Sequence, residues 1–132
     1  MKLTTGLNPY GLTYYLGIQA LGTPRANPTG GADNMPAYAT AKAGIVGLTR
    51  ALGRGFGPDG IRVNAIEPGA VITERQKRLW FTDQASIDRV VAAQAIRRVL
   101  LGEEIARTVL FLASDDSAMI TKQSITVDAG LR

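Results

Sequence analysis

The sequence contains no cysteine and no histidine in 132 residues. The first absence excludes a disulfide framework and any thiolate metal site. The second excludes imidazole acid–base chemistry and most zinc sites. A chain without cysteine suits a reducing cytoplasm. Aromatic residues make up only 6%, which offers little for stacking on nucleic-acid bases. Long apolar runs are missing too. The opening stretch MKLTTGLNPYGLTYYLGIQALG is interrupted by Pro9, Gly11, Gly17 and Gln19 and carries one early lysine. Neither a membrane span nor a signal peptide is therefore expected. Charge of one sign is not concentrated: 15 Lys and Arg against 11 Asp and Glu give a net +4, and Arg75-Gln76-Lys77-Arg78 is the one dense run. Such a run reads as a solvated face, so neither nucleic acid nor a membrane is an expected partner. Internal repeats and low-complexity tracts are absent as well.

What is present is an ordinary globular balance, 45% apolar and 20% charged, in a chain long enough for one modest core. Residues 1–30 are broken by Gly, Pro and Asn, and GTPRANPTGG (22–31) is a loop signal. The texture changes near Pro36. Tyr38, Ala41, Ile45, Val46, Leu48, Thr49 and Leu52 recur at helical spacing, which predicts a helix over 36–54 with Pro36 in its first turn. Gly53, Gly55, Gly57 and Pro58 stop it. IRVNAIEPG (61–69) alternates Ile61, Val63 and Ala65 against Arg62 and Asn64, a strand ended by Pro-Gly. Helices are expected over 84–97 and over 103–116, the latter with acids in its first turn, and SITVDAG (124–130) reads as a short buried strand. This order implies an α/β fold with a parallel sheet.

Residues 55–60, GFGPDG, match the G-x-G-x-x-G pattern. A dinucleotide site needs that pattern to follow a strand and open a helix, so that helix N–H groups face a pyrophosphate. Here it follows a helix and precedes a strand, which makes it a helix stop and a turn.

The pair Tyr38 and Lys42 carries more chemistry. Four helical residues advance about 6 Å and turn about 400°, so both side chains leave nearly one face. A phenol titrates near pH 10, and a fixed ammonium beside it stabilises the phenolate. Such a pair could exchange a proton with an alcohol or carbonyl oxygen in a chain without histidine. Tyr and Lys at this spacing also occur on many helices with the tyrosine packed and the lysine in water.

Three ordered blocks set this pair in context: YATAKAGIVGLTRALG, GIRVNAIEPGAVIT and EEIARTVLFLASDDSAMITKQSITVDAG. Together they resemble the short-chain dehydrogenase/reductase family from about Gly31 to Arg132. The resemblance implies a Rossmann-type doubly wound sheet, here partial, with the N-terminal half of the fold missing. On that basis 1–30 is a divergent segment and 31–132 the carboxyl-terminal half of the domain. The implied activity is hydride transfer between NAD or NADP and an alcohol or carbonyl. By the resemblance Tyr38 is the catalytic acid/base, and Lys42 is its pKa partner and a ligand of the nicotinamide ribose. Pro68 and Gly69 shape the loop that receives the nicotinamide, the Val71 backbone meets the carboxamide, and Thr73 hydrogen-bonds nearby. Thr73 can equally cap the next helix. ERQKRLWFTDQ (74–84) would cover a substrate, although Trp80 and Phe81 read slightly better as packing residues.

The family's glycine-rich loop, its ribose-selecting residue and its Asn-Asn-Ala-Gly strand have no match in residues 1–30. Arg25 stands where the family places a substrate-orienting serine, and Lys122 and Ala129 stand where it usually has glycine. The expectation is thus a cytoplasmic oxidoreductase that forms a homo-oligomer and acts on a small molecule. The alternative is a catalytically silent fragment acting through binding or subunit association. Half a sheet would leave a raw edge, which predicts weak stability alone.

Overall fold

The computed structural model describes the backbone of residues 6–8 and 11–17 and the full structure of residues 36–131. The loop signal at 22–31 and Arg25 lie outside these residues. In chain order the elements are β1 (Gly6–Asn8), β2 (Gly11–Gly17), α1 (Pro36–Phe56), β3 (Arg62–Pro68), α2 (Glu74–Leu79), α3 (Gln84–Ala93), α4 (Gly102–Ala113) and β4 (Ser124–Val127). Short 3₁₀ turns at Gly57–Asp59 and Asp115–Ser117 follow α1 and α4.

The sheet order is β1-β2-β3-β4. β2 runs parallel to β3 with Tyr14 opposite Val63, and β3 runs parallel to β4 with Ala65 opposite Ser124. The expected α/β fold with a parallel sheet is therefore what forms. Two strands arise where sequence periodicity showed none, in residues 6–17. GLTYYLG is rich in strand-favouring Thr and Tyr, but its flanking glycines and prolines obscured it. β1 pairs antiparallel with β2, because the two intervening residues are too few for a crossover.

α1 forms where the apolar spacing placed it and runs two residues further. Gly60 then turns the chain at φ 75°, in the left-handed region, and donates its N–H to Gly57 O at 3.0 Å. GFGPDG is thus the stop and turn that its position between helix and strand predicted.

β3 departs from the two-faced reading. Arg62, Val63, Asn64, Ala65 and Ile66 are all buried, because the strand is central and covered on both sides. The core gathers Val63, Ala65, Ile66, Val90, Leu100 and Leu112 around it. Full burial of a side chain such as Leu112 contributes about 2 kcal/mol.

Three boundaries shift. α3 ends at Ala93 rather than 97, where Gln94 turns extended and the chain swings toward the end of β4. α4 ends at Ala113, where Ser114 adopts ψ 169° and its N–H returns to Leu110 O. β4 is half-buried and stops at Val127. Asp128–Gly130 is a turn, closed by Gly130 N–H on Asp128 Oδ1 at 2.9 Å.

Candidate functional site at the carboxyl end of β3

α1 packs along β3 and is antiparallel to it. Its last turns lie at the start of the strand, where Ile61 N–H reaches Phe56 O at 3.2 Å and a Cβ on Gly53 would lie 2.6 Å from Lys122 Cγ. The first two turns of α1, with Tyr38 and Lys42, therefore run toward the carboxyl end of β3, where Pro68 and Gly69 leave the sheet. In open parallel sheets this end receives ligands.

Tyr38 and Lys42 share a face, as four-residue spacing requires, and both are half-buried. The ammonium lies over the phenol ring, 5.3 Å from its centroid, a cation–π contact. Burial pushes the Tyr38 phenol above its usual range. Burial acts on the phenol in the direction opposite to a neighbouring ammonium, which favours the phenolate.

The loop after β3 is closely tied. Gly69 N–H donates to Val127 O at 2.9 Å, and Val71 N–H donates back to Gly69 O at 2.9 Å, closing a tight turn. Val71 pairs with Leu100 in an isolated parallel bridge, and Ile72 N–H donates to Leu100 O at 3.0 Å. A Cβ on Gly69 would lie 2.6 Å from Asp128 Cβ and 2.7 Å from its Cα, so only glycine fits there. Thr73 caps α2: its Oγ1 accepts from Gln76 N–H at 3.2 Å. A hydroxyl that accepts in a cap keeps its own proton to donate.

Of the residues expected at a site, Tyr38 and Lys42 meet on α1, and Pro68, Gly69, Val71 and Thr73 lie at the end of β3 and in the loop that follows it. Sequence reasoning missed Leu100 and Asp128, which hold the loop from behind. Asp128-Ala129-Gly130 is a readable Asx-turn signature, whereas Leu100 carries no sequence signal.

Trp80 is 50% exposed instead of packed. Phe81 is half-buried beside an open depression of about 550 Å³, which Lys77, Arg78, Thr82 and Ile87 also line. Among the described residues, no helix is long and apolar enough to cross a membrane.

Comparison with known proteins adds independent findings. A family model described as Enoyl-(Acyl carrier protein) reductase matches residues 25–132. The chain is 52% identical over 97 residues to a probable galactose dehydrogenase of Rhizobium meliloti (strain 1021), covering 74% of this chain and 38% of that protein. It is 46% identical over 102 residues to D-xylose 1-dehydrogenase of Caulobacter vibrioides, covering 77% of this chain and 40% of the relative. The chain thus spans about two-fifths of the length of these relatives. Among solved structures, the TT0495 protein of Thermus thermophilus aligns with a TM-score of 0.73 at 32% identity, covering 89% of this chain and 47% of that one. A Serratia marcescens short-chain dehydrogenase/reductase aligns with a TM-score of 0.68 at 33% identity over 89% of this chain and 45% of its own. A 4-hydroxyisoleucine dehydrogenase mutant complexed with NADH and succinate aligns with a TM-score of 0.66 at 30% identity, over 72% and 39% of the two chains.

Proposed function

The chain belongs to the short-chain dehydrogenase/reductase family, and from that premise we propose that it carries the nicotinamide side of an NAD- or NADP-dependent oxidoreductase site acting on an alcohol or carbonyl. One observation supports the reading: Lys42 lies 5.3 Å from the centre of the Tyr38 ring on the first two turns of α1, the helix that packs along β3, the strand from which the Gly69–Thr73 loop leaves. Residues 31–132 are read as the carboxyl-terminal half of the Rossmann-type domain.

The local donor set suits a nicotinamide riboside. Lys42 would hold the ribose, and the Thr73 hydroxyl proton and the Val71 carbonyl would face the carboxamide. The Val71 N–H is already engaged by Gly69 O, so that contact falls to the carbonyl. When bound, the cofactor supplies or accepts the hydride. Tyr38 then gives its proton to a carbonyl oxygen, or takes one from an alcohol. Its raised pKa keeps it protonated in the chain alone. Lys42 makes the exchange feasible near neutral pH, because its charge stabilises the phenolate.

The names of the two relatives make sugars, galactose and D-xylose, the first substrates to try. A reducing cytoplasm is the proposed compartment, and association with further copies of the chain the proposed assembly.

The test is titration with NADH and NADPH, followed by Trp80 fluorescence, together with turnover of both sugars. Tyr38→Phe should lower turnover by about 10²–10⁴-fold and leave cofactor binding intact. Absence of both binding and turnover in the unaltered chain would favour the second reading, a silent module acting through subunit association.

A further inference from the structure

We infer that Asp128 is a positioning residue: through the turn it closes, it holds the Gly69–Thr73 loop in place. Three segments far apart in sequence form a ring at this end of the sheet. Gly69 donates to Val127 O and has no room for a Cβ against Asp128. The turn that follows receives the segment after α3: Ala95 N–H donates to Gly130 O at 3.3 Å and Ile96 N–H to Ala129 O at 3.0 Å. That segment runs on to Leu100, whose carbonyl accepts from Ile72 N–H at 3.0 Å, which returns the ring to the loop.

Asp128 is the point where the ring closes. It is 6% exposed, its Cβ packs where Gly69 lacks one, and its Oδ1 accepts the Gly130 N–H at 2.9 Å. That bond sets the direction of the Ala129 and Gly130 carbonyls that Ile96 and Ala95 use. Ala129 sits at φ 59°, a left-handed conformation that costs an L-residue free energy and persists because its surroundings impose it. Gly130, at φ 72°, lies so close to Ala95 that a Cβ would meet the Ala95 Cβ at 2.7 Å. The turn is thus held in one shape from both sides, and Gly69 rests on it.

The consequence concerns cofactor affinity. A loop whose backbone groups meet a ligand binds it more tightly when its geometry is set beforehand. Removing the Asp128 carboxylate loosens Val71 and Ile72 while leaving every proposed ligand-contacting residue unchanged.

Amide hydrogen exchange tests this in the chain without ligand, with Asp128→Ala and Asp128→Asn compared to the parent. The asparagine side chain keeps an acceptor for Gly130 N–H; alanine does not. The Ala65 N–H, bonded to Gln123 O at 2.8 Å in the sheet centre, reports global opening. In Asp128→Ala, exchange at Ile72 relative to Ala65 should rise about tenfold, and Asp128→Asn should restore it to within about threefold. A uniform rise at both amides, or no rise, overturns the positioning role. The cofactor consequence rests on the proposed function and is read separately, as about tenfold weaker NADH or NADPH binding in Asp128→Ala. If loosening appears without weaker binding, the positioning role stands and the reading of the loop as a nicotinamide site fails.

Discussion

The two ends of the central strand are built by opposite rules. At its start, β3 is closed by buried polar groups that satisfy one another. The Arg62 guanidinium donates to Ser117 Oγ at 3.0 Å, Ile120 O at 3.2 Å, Leu112 O at 2.8 Å and Ser114 O at 3.3 Å. Two of those carbonyls belong to the C-terminal end of α4, where the helix dipole favours a cation. Asn64 clamps the segment before β4, donating to Ile120 O at 2.8 Å and accepting from Gln123 N–H at 3.1 Å. At its finish, β3 opens into half-exposed loops, and Tyr38 and Lys42 stand near solvent. Burial with full hydrogen-bond pairing serves stability at the first end. Accessible polar groups held by backbone contacts suit ligand chemistry at the second. A group can be committed to internal carbonyls or offered to a ligand, and the strand separates the two uses by its length.

The largest effect that tests this contrast is Arg62→Ala. It deletes a buried guanidinium together with its four hydrogen bonds and should cost about 3 kcal/mol or more, seen as a lower urea midpoint or as loss of a cooperative transition. Lys42→Ala, at the other end, should move the midpoint by under about 0.5 kcal/mol. Similar costs for both would erase the contrast.

A smaller effect of opposite sign is expected at two turns. Lys122 and Ala129 are the non-glycine residues with positive φ among those described, at 65° and 59°, one toward each end of the strand. Lys122→Gly and Ala129→Gly should each stabilise by about 1 kcal/mol, read from the same urea curves. A loss at Lys122 would mean that its stem, packed beside Gly53, contributes more than the strain costs.

The smallest effect is acid sensitivity at the helix starts. The Ser86 backbone N–H at 2.7 Å from Asp83 Oδ1 holds that carboxyl below its usual range, and the Arg98 guanidinium at 2.8 Å does the same for Glu104. Both pKa values are depressed by folding. Their stabilisation is therefore present above about pH 4 and is lost as pH falls through the folded values. Asp83→Asn with Glu104→Gln should flatten the acid limb of a stability–pH curve below about pH 4 and leave its neutral part nearly level.

Much of the molecule was legible before folding. The period of α1, the Pro-Gly end of β3 and the acids opening α4 are local signals, and each element formed there. The false G-x-G-x-x-G was also resolved locally, since its meaning depends on what precedes and follows it. The unusual residues at 122 and 129 were visible as departures from a family pattern. The left-handed backbone at both gives the physical reason glycine would be preferred there. Arg62 was misleading for a different reason. Alternation in a strand assigns faces, and a face is exposed only if nothing covers it.

Helix and strand positions, and the pairing of Tyr38 with Lys42 on one face, follow from residue chemistry repeated over a few positions. Folding alone decides that Arg62 bonds the carbonyls of Leu112 and Ser114 and that Gly69 rests against Asp128. Those contacts join residues up to nearly sixty positions apart. Periodicity specifies a residue's direction within its own element, and only packing supplies the neighbour it meets.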